Sequence, residues 1–242
     1  MVQTCVCHFK LGNFYSKPVQ KPRPFYVNHT VRPLVYIDYS RPNSLYTATN
    51  SPYNYVLDTI SLYVKGLRSS LPIELFRFGC VDTRSHSVAP IAYNNSLKSA
   101  YQKSLKEVTM SGPICFQPII DSAVQSSLSQ PDYFTIAFIL LSGRSNSPSQ
   151  DALNLIQASH QPILFIIIYK EDFQIERLKQ IQKRRFENVL TFNFTKNVQT
   201  LRDFLEENVG ESLKEIYQLK MLEKNGENET VEMVQERFCE DV

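Results

Sequence analysis

Residues 34–40 read LVYIDYS, an apolar run that ends in a carboxylate at Asp38 and a hydroxyl at Ser40. A run of this length and apolar content predicts a strand that is buried on both faces. In open α/β sheets, ligand sites lie just beyond the carboxyl ends of such strands. The stretch therefore has two interpretations. Either the strand delivers Asp38 to a site, or it is a core strand whose Asp38 only opens the following turn.

Helix-like and strand-like patterns alternate along the rest of the chain. Further strands are predicted over 71–78, 86–93, 133–141, 163–169 and 189–194, and helices over 53–67, 97–108, 116–128, 148–160, 173–185 and 198–222. Such alternation is typical of a doubly wound α/β domain. Pro90 places the strand over 86–93 at an edge, because proline cannot donate to a ladder. We expect a Rossmann-type, mostly parallel six-stranded sheet with one short antiparallel edge strand.

The two ends of the chain differ from its middle in charge. Residues 1–33 hold five Lys or Arg and no acid, whereas residues 206–242 hold 11 acids against four bases. We predict an extended arm over 1–30, one domain over 31–222 and an acidic, disordered tail over 223–242. The opposed charges either belong to solvated ends, bring the ends together or bind separate partners.

Composition argues against several classes of protein. No apolar run reaches the ~18 residues of a membrane-spanning helix, and the start lacks the form of a signal peptide. Five scattered Cys fit reduced thiols better than a disulfide framework. We therefore expect a cytoplasmic protein without a transmembrane segment. No basic stripe with interleaved aromatics is present, so nucleic acid is not an expected partner.

Four short stretches carry a more specific pattern. Residues 37–43 read IDYSRPN, residues 44–46 read SLY with Asn54-Tyr55 behind them, residues 71–79 read LPIELFRFG, and residues 108–120 read VTMSGPICFQPII. In turn they resemble the IDFTxSN, SLHY with NxY, FPxxGFG and VxLxGPTxFxPxI elements of the copine family. The resemblance runs from about residue 26 to residue 212 and implies a von Willebrand factor A domain.

The resemblance also implies where a metal-ion-dependent adhesion site would lie. Asp38 and Ser40 match its first two ligand positions. Pro42, Ile114 and Ser142 stand where a second hydroxyl, a Thr and an Asp are expected. Mg²⁺ prefers near-octahedral oxygen ligation with carboxylates and waters. We therefore predict a degenerate site and no cofactor, with weak Mg²⁺ or Ca²⁺ binding left open.

A carboxylate that loses its cation needs another partner. One hypothesis is that Arg144 or Arg41 pairs with Asp38. The alternative is that both guanidinium groups point to solvent.

Catalysis is not expected, because it needs a nucleophile or base with an orienting partner. Asp38, Ser40 and Arg144 could mimic a hydrolase site, but no His is predicted beside them, except His160 just before a strand. Cys115 is interpreted as a small core side chain. The chain also lacks a Gly-rich phosphate loop.

The resemblance implies a protein-interaction module instead. We define the strand-end face as residues 40–50, 111–115 and 142–147, next to Asp38, and expect it to bind a protein partner. Its candidate residues are Asp38, Ser40, Arg41, Asn43, Ser111, Cys115, Ser142 and Arg144.

Two neighbouring activities of related families are not expected here. Copines carry two calcium- and phospholipid-binding domains ahead of the A domain, where this chain has about 30 residues. Related plant ubiquitin ligases carry a RING behind it, where this chain has only Cys239. The alternative function is a copine-like adaptor at membrane-associated complexes, peripheral through its partners and helped by the basic arm. A third interpretation is a structural remnant without a partner at this face.

Overall fold

The structure is a computed structural model that describes residues 30–67, 70–84, 86–94, 96–112, 114–141, 162–170, 188–195 and 200–224, with side chains up to residue 218. Residues 1–29 of the predicted arm, residues 225–242 of the acidic tail and the predicted helices over 148–160 and 173–185 lie outside the described residues, as do Ser142 and Arg144.

Six strands form one sheet in the described residues. They are β1 (Val31–Asp38), β2 (Glu74–Phe78), β3 (Ala89–Pro90), β4 (Phe134–Leu141), β5 (Ile163–Tyr169) and β6 (Val189–Asn193). Their order is β3-β2-β1-β4-β5-β6. Neighbouring strands are parallel except β2 and β3, which are antiparallel. The predicted fold class, including the short antiparallel edge strand, is confirmed.

The described helices pack on both faces of this sheet. They are α1 (Tyr53–Gly66), α2 (Leu97–Glu107), α3 (Gln117–Ser129) and α4 (Leu201–Lys224). Apolar side chains of α1, α2 and α4 share one hydrophobic cluster with the sheet, and those of α3 lie in a second cluster on the opposite face. Strands β4 and β5 are buried at every position. This two-sided burial explains why their sequences are continuously apolar.

Several predicted boundaries shift for local physical reasons. The predicted strand over 86–93 shortens to two residues at Pro90, whose missing N–H limits the ladder. Residues Arg41–Leu45, after the first predicted strand, form a 3₁₀ turn with Pro42 in its first positions. No helix of the described residues is long and apolar enough to cross a bilayer.

Strand order places a topological switch between β1 and β4. From β1 the chain moves to β2 and β3 on one side, while β5 and β6 lie beyond β4 on the other. Crevices at such switch points hold ligands in open α/β sheets. At the end of the sheet where the parallel strands begin, Arg32 forms an ion pair with Glu74 at 2.7 Å. Arg32 also donates a hydrogen bond to the carbonyl of Ser126 in α3. The end of α3 therefore lies far from Asp38.

Candidate functional site

Asp38 holds the turn that follows β1. Its Oδ1 accepts a hydrogen bond from the Ser40 N–H at 2.6 Å, and its carbonyl accepts one from the Asn43 side-chain amide at 2.8 Å. Asp38, Ser40 and Asn43 are each 1% exposed. The buried carboxylate thus serves as the partner of the Ser40 N–H, and the buried amide serves as a partner of the Asp38 carbonyl. Asp38 does open the turn, as the second interpretation of LVYIDYS states.

Gly79 makes room for this turn. It follows β2 with a φ of +71°, and a Cβ there would lie 3.3 Å from the Ser40 nitrogen and 3.4 Å from the Asp38 Oδ1. A left-handed conformation favours glycine, because other L-residues meet their own backbone there. The glycine therefore lets β2 end directly against the Asp38 turn.

We expect the Gly79→Ala variant to lose about 1–2 kcal/mol of unfolding free energy, since a left-handed non-glycine residue is strained. The measurement is urea denaturation of both proteins. Gly66→Ala is the matched control: Gly66 ends α1 and a Cβ there would meet nothing within 4 Å. Alanine should leave stability unchanged or raise it there. Equal losses in the two variants would contradict the role of Gly79.

Ser111 joins the 111–115 segment of the strand-end face to the Asp38 turn. Its carbonyl accepts a hydrogen bond from the Arg41 N–H at 2.5 Å, and its own N–H donates to the Gly79 carbonyl at 3.2 Å. Ser40 and Ser111 form an isolated parallel bridge. The structure thus brings together the segments of the strand-end face that follow β1 and precede α3, and it adds Gly79 after β2, which the predicted face does not include.

A network of buried hydroxyls lies beneath this face. Tyr39 pairs with the Ser104 hydroxyl, and Tyr101 pairs with the Ser51 hydroxyl at 2.8 Å. The Tyr39 and Tyr101 rings meet edge to face with centroids 5.8 Å apart. Burial raises the pKa of Tyr101 to about 12, and the negative charge of Asp38 adds to this shift. The network ties α1 and α2 to the end of β1.

Only part of the implied metal site offers oxygen atoms. Asp38 supplies a carboxylate, and the buried Ser40 Oγ has no hydrogen-bond partner among the described residues. Pro42 has no side-chain oxygen, and Ile114 is fully buried in the hydrophobic cluster of α3. Ser142 lies outside the described residues. Within the described residues, no group of three His, Cys, Asp or Glu could hold a metal. The described positions therefore do not complete an octahedral oxygen set.

The eight candidate face residues separate by exposure. Asp38, Ser40 and Asn43 are buried, so they build the turn; Arg41 is exposed. Ser111 and Cys115 are half-buried, and Ser142 and Arg144 lie outside the described residues.

Arg41 forms no ion pair within the part of the chain that the structure describes. For Arg144, the hypothesis of an ion pair with Asp38 remains a prediction.

Two features of the face were missed by the sequence. Leu45, at the end of the 3₁₀ turn, is 81% exposed. Next to it, Tyr46 accepts a hydrogen bond from Lys170, whose ammonium lies 4.9 Å from the ring centroid. Lys170 follows β5, so this contact joins segments 124 residues apart. No local pattern indicates such a pair.

Comparisons with known proteins place this geometry in context. No protein-family model matches the chain. The E3 ubiquitin-protein ligase RGLG3 of Arabidopsis thaliana is 25% identical over 176 residues, covering 63% of this chain and 48% of that protein. The chain thus spans about half the length of this curated relative.

Solved structures are similar at lower identity. Proximal thread matrix protein 1 from the mussel byssus, with a zinc-occupied adhesion motif, is 16% identical over 78% of this chain and 47% of that chain, with a TM-score of 0.49. The SpRpn10 von Willebrand factor A domain is 11% identical over 75% of this chain and 96% of that chain, with a TM-score of 0.51. At this identity the likeness shows the fold alone, and that fold is von Willebrand factor A-like.

Proposed function

We propose that the chain is a non-catalytic protein-interaction module of copine type, and that its partner binds the strand-end face. The exposure of Leu45 on an anchored turn carries this proposal. A single exposed Leu is common on protein surfaces, so it is the anchoring of its turn that makes Leu45 a candidate contact. The curated relative and the fold fit an interaction module of this kind.

The turn that carries Leu45 is anchored from below. The buried Asp38 accepts hydrogen bonds from the Ser40 N–H and from the side-chain amide of the buried Asn43. The Arg41 N–H donates to the Ser111 carbonyl. A side chain on an anchored turn loses little freedom when it binds, which favours association. Burying Leu45 would contribute about 1.5–3 kcal/mol by the hydrophobic effect.

The chemistry of the strand end favours binding over catalysis. A nucleophile or base must be reachable by substrate and activated. Asp38 is buried, with its Oδ1 on the Ser40 N–H. Burial also raises the pKa of Tyr39 and of Tyr101, which moves both hydroxyls further from the ionised form that a nucleophile or base would need. These groups support the fold of the face.

Site-specific photo-cross-linking in cells tests the proposal. A benzoylphenylalanine replaces Leu45 in one variant and Leu128 in the other. Leu128 is 48% exposed near the end of α3, at the end of the sheet where the parallel strands begin. We expect one discrete protein adduct at position 45 and none at position 128. Identical adduct patterns, or none at position 45, would overturn the proposal.

The buried Ser40 hydroxyl favours a second candidate function. An unpartnered polar atom beside a carboxylate is the kind of group that a cation satisfies. The alternative is therefore a copine-like adaptor at membrane-associated complexes that retains weak divalent-cation binding through Asp38 and Ser40. Its association with membranes would be indirect, through partner proteins.

Thermal melts with Mg²⁺, Mn²⁺ or Ca²⁺ and with chelator separate the two functions. We expect no shift in melting temperature, because Pro42 and Ile114 offer no side-chain oxygen. A cation at 100 times its dissociation constant would stabilise the fold by about 2.7 kcal/mol. A shift that Ser40→Ala abolishes, and that the exposed Ser44→Ala control retains, would establish the cation-binding alternative.

A further inference from the structure

A cleft of about 540 Å³ opens beside Leu45. One wall is formed by Arg41, Ser44, Tyr46, Thr47 and Ala48, which lie on both sides of Leu45 in sequence. The other wall is formed by Leu105, Lys106, Val108 and Met110 from the end of α2 and the segment after it. The cleft therefore lies between the turn after β1 and the end of α2, away from the Asp38 and Ser40 side chains.

Hydrogen bonds hold both walls in place. The Gln102 side-chain amide in α2 donates to the Ala48 carbonyl at 2.9 Å and to Asn54 at 3.2 Å. Tyr46 accepts a hydrogen bond from Lys170, whose ammonium also lies over its ring. Contacts of this kind let the cleft exist before a ligand arrives, which is usual for binding sites.

The lining combines positive charge with apolar surface. Arg41 and Lys106 are both exposed, and neither forms an ion pair within the described part of the chain. Among the residues that the structure describes, no acid lines the cleft, while Leu105, Val108 and Met110 give it an apolar wall. A ligand that complements this lining carries a carboxylate next to an aliphatic side chain.

We propose that this cleft binds a short acidic peptide segment of the protein partner. A Glu or Asp of the peptide lies between Arg41 and Lys106, and a neighbouring aliphatic side chain packs against Leu105 and Met110. The inference rests on the proposed function, since it names the chemistry of the partner at the strand-end face.

Fluorescence anisotropy with two labelled peptides tests it. The probes are Gly-Leu-Glu-Leu-Glu-Leu-Gly and the same sequence with Gln for Glu, titrated with the whole chain at low salt. We expect about tenfold tighter binding of the acidic peptide, because each of two partly exposed ion pairs contributes up to about fivefold. The difference should shrink as salt rises, because ions screen exposed charges.

Lys106→Gln and Lys103→Gln form a matched pair of variants. Both residues are exposed on α2, but only Lys106 lines the cleft. Lys106→Gln should weaken binding of the acidic peptide threefold to fivefold, and Lys103→Gln by less than about 1.5-fold. Equal weakening would indicate general charge attraction and overturn the proposal.

Two other results would also overturn it. These are equal affinity for the Glu and Gln peptides, or Lys106-dependent binding of phosphatidylserine vesicles without any preference for the acidic peptide. A failure of the peptide experiment, with a specific cross-link at position 45, would reject the acidic-segment inference alone. Loss of the cross-link would reject the interaction face itself.

Discussion

The free energy of unfolding is expected to fall steeply between pH 10 and pH 12. Burial raises the pKa of Tyr36, Tyr39 and Tyr101 above the ordinary value near 10, to about 12 for Tyr101. Above pH 10 the unfolded chain releases these protons while the folded protein retains them. Stability is therefore complete below pH 10 and is lost as pH rises towards the pKa of the folded state.

The expected loss is large because three side chains contribute. Each buried tyrosine costs about 1.4 kcal/mol per pH unit in this window. Two pH units then approach the whole stability of a typical domain, about 5–15 kcal/mol. We expect the protein to unfold below pH 12. Urea denaturation at several pH values, monitored by circular dichroism, measures the loss of stability.

Single tyrosine variants assign the effect. Tyr101→Phe should reduce the slope of stability against pH by up to about 1.4 kcal/mol per unit. It should also lower stability at neutral pH by about 1 kcal/mol through the lost hydrogen bond to Ser51. Tyr55→Phe is the control, because Tyr55 is 55% exposed on α1. An unchanged slope in Tyr101→Phe would contradict the role of burial.

Phe138→Ala is expected to destabilise the protein by about 3–5 kcal/mol. Phe138 lies in the middle of β4, is fully buried, and stands opposite Val35 of β1 and Ile166 of β5 in the ladder. Removing the ring leaves a cavity in the cluster that joins the sheet to α1, α2 and α4. Guanidinium denaturation with a shared slope measures the loss.

Leu45→Ala is the contrast for Phe138→Ala. Because Leu45 is 81% exposed, its truncation should change stability by less than about 0.5 kcal/mol. The same variant should weaken partner binding if the strand-end face is the contact surface. A large loss of stability in Leu45→Ala would show that Leu45 supports the fold instead.

The structure shows that Asp38 opens the turn after β1, whereas its delivery to a site stays a prediction. Asp38 holds the turn through its bonds to Ser40 and Asn43, and this turn exposes Arg41 and Leu45. The carboxylate thus supports, from beneath, the turn that carries the proposed contact residues. Burial of Asp38, Ser40 and Asn43 moves the proposed contact from the predicted polar residues to the exposed ones beside them.

The sequence by itself determined the doubly wound, mostly parallel sheet and its antiparallel edge strand. Period and length distinguish strands from helices, because side chains alternate every two residues in one and every 3.6 in the other. The continuous apolar runs of β4 and β5 predict central strands, since both faces of such strands are covered. Pro90 predicts an edge strand, because proline has no N–H to donate to a neighbouring strand.

Tertiary structure alone decided which side chains meet and which reach solvent. Tyr39 pairs with Ser104 across 65 residues, Gln102 reaches Ala48 across 54, and Lys170 reaches Tyr46 across 124. Local sequence cannot specify these pairs, because they depend on how helices settle on the sheet. For the same reason, a polar Asn43 is buried and an apolar Leu45, two residues later, is exposed. Long-range packing, rather than residue type, sets which side chains of this turn reach solvent.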